Sequence, residues 1–129
     1  MRALLEGRAW IGTTGKTTVG VGTHVLAELF GVPEEQLSKV ASVRDIMHRI
    51  MQEAGFTSVG ETFHQFEPEG VTGIILLSES HFSVHTWPEK EMLAADVFSC
   101  SGRAHALRAL ELLESYFEPQ SIRHKIVER

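Results

Sequence analysis

Two segments of the chain carry apolar residues at steps of three and four, a spacing typical of a helix with one buried face. Pro33 is favourable at the start of the first helix and Gly55 at its end. Its apolar positions are Leu37, Val40, Val43, Met47, Ile50 and Ala54. The second helix is predicted to begin at Ser101 or Gly102, and its apolar positions are Leu107, Leu110, Leu113 and Phe117.

The other periodic segments indicate β-strands. Val71–Ser78 is a nearly continuous apolar run, which favours a central strand buried on both faces. In His81–Trp87, apolar and polar residues alternate, as in a strand with two different faces. Further strands are predicted over 19–30, 57–66, 92–100 and 121–127. This order predicts an α+β fold: a two-layer α/β sandwich whose mainly antiparallel sheet carries both helices on one face.

The sheet face opposite the helices is predicted to carry imidazole, aromatic and thiol groups. They come from His64, Phe66, His81, His85, Trp87 and Cys100. Such a mixture is typical of a ligand site or of a surface that contacts another sheet. We therefore expect this second face to be covered, most simply by dimerisation.

Composition and charge limit the classes of partner and the cellular location that we expect for this protein. The net charge of −5 disfavours a nucleic-acid or anionic-membrane binder, because either would need a basic field. Glu6 interrupts the apolar start that a secretory signal would continue, and a single cysteine fits a reducing compartment. We therefore expect a cytoplasmic protein with no nucleic-acid or membrane partner.

One folded domain is expected over residues 21–129, preceded by an N-terminal leader or edge segment over 1–20. The leader contains the turn-rich stretch Gly12–Thr18. A phosphate-binding loop of the Walker type needs a glycine where Trp10 stands, so this stretch does not predict a nucleotide site.

The segment Ser78–Glu89 concentrates carboxylates, hydroxyls and imidazoles in a part of the chain predicted to lie within the sheet. Strands seldom accept so many polar groups without a function, since each group needs a hydrogen-bond partner. Several blocks at fixed spacing then resemble the pyruvoyl-dependent S-adenosylmethionine decarboxylases of bacteria and archaea. The blocks are TFHQF at 62–66, GVTG at 70–73, LSESH at 77–81, HTWPE at 85–89 and AADVFSC at 94–100.

The resemblance implies that the chain cleaves itself between Glu79 and Ser80, giving chains 1–79 and 80–129. Ser80 would become a pyruvoyl group that forms a Schiff base with the substrate, without pyridoxal phosphate or a metal. By the same resemblance, His85 carries protons during processing and Thr72 polarises the scissile carbonyl. Cys100 would donate the proton that replaces carbon dioxide.

The resemblance also implies the substrate and the assembly. Phe66 would stack on the adenine of S-adenosylmethionine, Glu89 would accept hydrogen bonds from the ribose hydroxyls, and Trp87 would line the same wall. The product would be the aminopropyl donor of spermidine synthesis. The working unit would be a homodimer of cleaved protomers with two facing sheets.

The residues alone leave alternatives open. The same pyruvoyl chemistry could act on arginine or ornithine, and a homologue that does not process itself could serve as a regulatory partner. His81 and His85, with His64, could instead bind zinc. Cys100 could be a packing residue, since free cysteines often are. His24, His64 and His105 are otherwise interpreted as structural or surface residues, and His24 could reach the site of a partner subunit.

Overall fold

The computed structural model describes Gly15 and residues 20–129. Apart from Gly15 and Gly20, the predicted leader therefore lies outside the described residues. The strands are β1 (Thr23–Phe30), β2 (Ser58–Gln65), β3 (Val71–Leu77), β4 (Ser80–Trp87), β5 (Met92–Ser99) and β6 (Ser121–Glu128). The helices are α1 (Val40–Ala54) and α2 (Arg103–Phe117), with 3₁₀ turns at Glu34–Gln36 and Pro88–Lys90.

All six strands form one sheet in the order β2-β3-β4-β5-β1-β6, and every neighbouring pair is antiparallel. Helix α1 packs on β2 and β3, helix α2 packs on β1 and β5, and the two helices contact each other. Both helices therefore cover the same sheet face, as the sequence predicted. The core lies between that face and the helices, around fully buried residues that include Leu29, Met47, Ile75, Phe82 and Phe117.

Helix α1 begins later than the sequence predicted. Pro33 precedes a short 3₁₀ turn, Lys39 is extended, and the α-helix starts at Val40. The Val40 N–H donates to the side-chain oxygen of Gln65, which satisfies one of the amides left free at a helix start. The helix ends at Gly55, whose φ of 86° is the left-handed conformation that glycine adopts without strain.

Two predictions about burial are wrong. Strand β3 is not buried on both faces, because Thr72 and Ile74 are half-buried and Leu76 is 48% exposed. The reason is that both helices lie on one side, so the other face of the sheet has no cover within a single chain.

Helix α2 is rotated relative to the predicted face. Leu113 and Phe117 are buried as predicted, but Leu107 and Leu110 are only partly buried. The remaining buried residues are Ala106, Ala109 and Leu112. Alanines against the sheet let the helix approach closely, and the flanking leucines close the sides of the core. Neither helix among the described residues is long and apolar enough to cross a bilayer.

Candidate active site

The predicted functional residues lie on or beside the uncovered sheet face, which we call the open face. Strand alternation places His81, Ser83, His85 and Trp87 there, while Phe82, Val84 and Thr86 are buried under the helices. The predicted split of β4 into a polar and an apolar face is therefore confirmed.

One end of the open face carries a hydrogen-bonded aromatic group. Thr72 pairs with His85 across β3 and β4, and Thr72 Oγ1 lies 2.8 Å from His85 Nδ1. The His85 ring lies 4.3 Å from the Trp87 ring and 5.9 Å from the Phe66 ring, measured between centroids. Phe66 is 41% exposed, so its ring has a free surface.

Glu89 belongs to the same end of the sheet. It lies in the 3₁₀ turn Pro88–Lys90 and is exposed. A Cβ at Gly70 would lie 3.6 Å from Phe66 Cβ and 3.7 Å from Pro88 Cδ, so the segments that carry Phe66 and Glu89 pack on one glycine. We call Phe66, Thr72, His85, Trp87 and Glu89 the aromatic half-site.

Gln65 fixes the Phe66 segment, a role that the sequence analysis missed. Its side-chain nitrogen donates to the carbonyls of Ser38, Phe66 and Gly70. Side-chain amides seldom reveal such a role in a sequence, because the acceptors are backbone atoms of segments that meet only in the fold.

The other end of the open face holds the predicted cleavage bond. Ser78 and Glu79 form the two-residue turn between β3 and β4, where Leu77 pairs with Ser80. The Ser78 N–H donates to the Thr57 carbonyl at 3.0 Å, which anchors the turn.

Cys100 directly follows β5. Strands β4 and β5 are antiparallel and His81 pairs with Phe98, so the same register, continued by two residues, sets Cys100 opposite Glu79. We call Glu79, Ser80 and Cys100 the cleavage half-site.

Three further side chains surround Asp96 between the two half-sites. Ser83 Oγ donates to Asp96 Oδ1 at 2.8 Å, and His81 Nε2 lies 3.2 Å from the same oxygen. His24 Nε2 lies 3.8 Å from Asp96 Oδ2. No role for Asp96 was evident in the sequence, because its partners come from β1 and β4 and meet it only in the fold. We call these four residues the Asp96 network.

The pKa of His24 lies below its ordinary value. Burial is the largest cause that lowers its pKa, and the nearby Arg129 and His81 lower it further, against the opposing effect of Asp96. His24 Nε2 is buried and forms no hydrogen bond within the usual distance.

Histidine spacing argues against the zinc alternative. His81 and His85 are four residues apart on β4, which separates them by about 13 Å, too far for one ion. His24, His81 and Asp96 do bring ligand atoms within 4.8 Å of one another. However, the cationic Arg129 Nη1 lies 3.5 Å from His24 Nδ1, which disfavours a second cation beside that ring. Within the Asp96 network, Ser83 donates a hydrogen bond to the carboxylate, and the His81 and His24 imidazoles lie 3.2 and 3.8 Å from its oxygens.

The two half-sites do not meet within one chain. Ser80 and His85 are five residues apart along β4, a separation of about 17 Å. Proton transfer needs contact of about 3 Å or one bridging water. The sequence analysis treated His85 and Thr72 as neighbours of the cleavage bond, and an extended β4 corrects this for a single protomer.

A groove of about 510 Å³ runs over the middle of the sheet. Thr72, His85, Ser83 and Asp96 line it, together with Arg123 and Lys125 from β6. This volume is in the range of small-molecule sites. The groove reaches from the aromatic half-site to the Asp96 network.

Comparison with known proteins gives a consistent picture. The family model described as S-adenosylmethionine decarboxylase matches residues 23–129. A protein of Archaeoglobus fulgidus named S-adenosylmethionine decarboxylase proenzyme is 43% identical over 109 residues, covering 84% of this chain and 97% of the relative. A protein of Persephonella marina with the same name is 40% identical over 109 residues, covering 84% and 82%.

A solved structure supports the fold. The crystal structure of the adenosylmethionine decarboxylase from Aquifex aeolicus superimposes with a TM-score of 0.82 at 32% identity. The match covers 87% of this chain and 92% of that one. The six-stranded antiparallel sheet with two helices on one face is therefore a shared architecture.

Proposed function

The chain belongs to the S-adenosylmethionine decarboxylase family, and from that premise we propose that it generates its own pyruvoyl group from Ser80. Its activity is the decarboxylation of S-adenosylmethionine, which yields the aminopropyl donor for polyamine synthesis. The observation that carries the proposal is the open face, with the Ser80 turn beside Cys100 at one end and the Thr72–His85 pair at the other.

Processing follows from the chemistry of the Ser80 turn. The Ser80 hydroxyl attacks the Glu79 carbonyl and converts the amide to an ester, after which elimination releases Glu79 as a new carboxyl terminus and leaves dehydroalanine at residue 80. Water then hydrolyses the imine tautomer of this dehydroalanine, which releases ammonia and leaves the pyruvoyl group. Each step needs a proton carrier, and His85 offers an imidazole, the type of side chain that most often accepts and gives protons in catalysis. The Thr72 hydroxyl holds His85 through Nδ1 and supplies a second polar hydrogen.

Because His85 is about 17 Å from Ser80 in the same chain, we propose that a second protomer supplies it. Two sheets that face each other about a twofold axis bring the cleavage half-site of one chain to the aromatic half-site of the other. The exposed apolar residues of the open face, Leu26, Phe66 and Leu76, favour such a contact.

The mature site then divides its tasks among named residues. A pyruvoyl group supplies an electron sink for the electron pair that stays on the substrate when carbon dioxide leaves. Cys100 donates the proton that replaces carbon dioxide on the substrate carbon. The exposed Phe66 ring stacks on adenine, and Glu89 accepts hydrogen bonds from both ribose hydroxyls. Trp87 packs on His85 and closes the same wall.

Ser80 is a suitable precursor for such a group. It is the first residue of β4 and is half-buried, and the residue before it, Glu79, belongs to the turn. Strand alternation aims the Ser80 side chain toward the face of Phe82, but cleavage frees residue 80 from the turn and from that orientation. No metal is required for any of these steps. We also propose a cytoplasmic location, because a lone cysteine suits a reducing compartment.

The experiment is a carbon dioxide release assay with carboxyl-labelled S-adenosylmethionine, arginine and ornithine offered separately. We expect release from S-adenosylmethionine alone, since Phe66 and Glu89 suit a nucleoside. Ser80→Ala should abolish release, whereas the control His124→Gln, which changes an exposed imidazole, should keep it. That pair of results would show that the activity depends on residue 80. Release from arginine or ornithine instead would overturn the substrate assignment, and no release from any of them would favour a regulatory homologue.

A further inference from the structure

The Asp96 network is a group of titratable side chains that the proposed mechanism leaves unused. Its central carboxylate accepts from Ser83 and lies 3.2 Å from His81 Nε2. A carboxylate can only accept, so we assign the proton on His81 to Nε2. The lone pair of the neutral ring is then on Nδ1, which has no hydrogen-bond partner among the described residues.

This geometry is that of an oriented imidazole. One nitrogen lies 3.2 Å from a carboxylate oxygen, and the other is left free to accept or give a proton. The competing imidazole of His24 lies farther from Asp96, at 3.8 Å. Burial lowers the pKa of His24, which disfavours a charged His24 as a competitor for the carboxylate.

The free nitrogen belongs to a side chain beside the cleavage half-site. His81 pairs with Phe98, and Cys100 lies two residues farther along the chain toward the Ser80 turn. Continued alternation places Cys100 on the open face with Asp96 and Phe98. Diagonal neighbours of this kind lie roughly 7–8 Å apart, with their Cβ atoms somewhat closer, which is within reach of an imidazole.

We propose that His81, positioned by Asp96, exchanges protons with the Cys100 thiol and restores it after each turnover. This inference rests on the proposed function through the role of Cys100. The thiol gives its proton to the substrate carbon that has lost carbon dioxide. The resulting thiolate takes a proton from Nδ1 of protonated His81, and the imidazole takes one from solvent. The net change is one solvent proton in place of one carbon dioxide.

The groups that face this pair are known. His24 approaches from β1, Asp96 from β5 and Arg129 from the segment after β6, while Glu79 lies in the adjoining turn. On β4 the nearest other imidazole, His85, is four residues away. Among these groups, the Asp96 carboxylate lies 3.2 Å from His81 Nε2 and is the partner expected to orient the ring.

The test uses a chain that performs no catalysis. Cys100 is the only cysteine in the sequence, so iodoacetamide alkylation of Ser80→Ala reports this thiol alone. The rate is measured against pH in Ser80→Ala and in the same chain carrying His81→Gln, Asp96→Asn or, as control, His124→Gln. Thermal melting checks that each variant folds.

We expect His81→Gln to slow alkylation at about pH 6 by at least threefold relative to the parent, because a neighbouring imidazolium favours the thiolate. Asp96→Asn, which removes the carboxylate beside His81, is expected to slow it as well, and His124→Gln leaves the rate unchanged. Identical profiles in the folded parent and His81→Gln would overturn the proposal.

Processed enzyme gives a second readout. His81→Gln and Asp96→Asn are expected to cleave normally but to lose at least about tenfold in kcat with little change in KM. Normal kcat in folded His81→Gln would contradict the relay. A wild-type chain that neither cleaves nor releases carbon dioxide would instead contradict the proposed function, while the alkylation profile would still report on the His81–Cys100 contact.

Discussion

Two inactive variants should restore activity to each other when they are combined in one dimer. Ser80→Ala disables the cleavage half-site, and His85→Ala disables the aromatic half-site. The structure separates these residues by about 17 Å within a chain, against the roughly 3 Å that proton transfer requires. A mixed dimer would therefore contain one site with both defects and one site with both halves intact.

The two variants are coexpressed with different affinity tags, and the mixed dimers are purified over both tags in turn. We expect about half of the wild-type carbon dioxide release per dimer, since one of two symmetric sites is complete. The matched control combines Ser80→Ala with Cys100→Ala. Both changes fall in the cleavage half-site, so every site in this mixed dimer keeps one defect and activity stays near background.

Size measurements on each single variant establish that it still forms a dimer. Mixed dimers of Ser80→Ala and His85→Ala that are no more active than either parent would refute the reasoning. That result would mean that Ser80 and His85 act within one chain, which an extended β4 does not allow. It would therefore require a rearrangement of the sheet after cleavage.

Three other predictions follow from single contacts. Thr72→Val removes the hydroxyl bonded to His85 and should slow cleavage at least about tenfold in a mass-spectrometric time course, whereas Thr72→Ser keeps it; equal rates would contradict this role. Phe66→Leu should raise KM about tenfold or more through lost stacking while cleavage stays normal, and an unchanged KM would exclude stacking. Because burial lowers the pKa of His24 from 6.5, the unfolded chain binds more protons, and stability should fall as pH drops through that range. The free energy of unfolding, measured by urea at about pH 7.5 and 5.5, should therefore fall less in His24→Gln than in wild type, and equal losses would contradict it.

Local patterns in the sequence were enough to predict the layers of the fold. Alternation along β4 separated Phe82 and Val84 from His81 and His85, and the left-handed Gly55 ended α1 as expected. The apolar run of β3 led to a wrong prediction of burial on both faces, because the apolar side chain of Leu76 lies on the open face and is 48% exposed. The local sequence does not distinguish an apolar residue on the surface of the sheet from one that packs in the core of its own chain.

The strand order and the contacts between strands that are distant in the chain could not be predicted from the sequence. The strand order places β1 between β5 and β6, and this brings His24 to Asp96. No pattern within either strand indicates that contact. The blocks that resemble the family named the site residues, but their spacing along the chain could not show that Ser80 and His85 occupy opposite ends of one strand.

The central claim is that the backbone breaks before residue 80 and leaves a keto-acyl terminus there. Denaturing mass spectrometry of active, purified protein measures this directly, with and without prior borohydride reduction. The account predicts one chain that ends at Glu79 and a second that begins at residue 80 and gains the mass of two hydrogens on reduction. Active protein with an intact Glu79–Ser80 bond and no reducible terminus would contradict it.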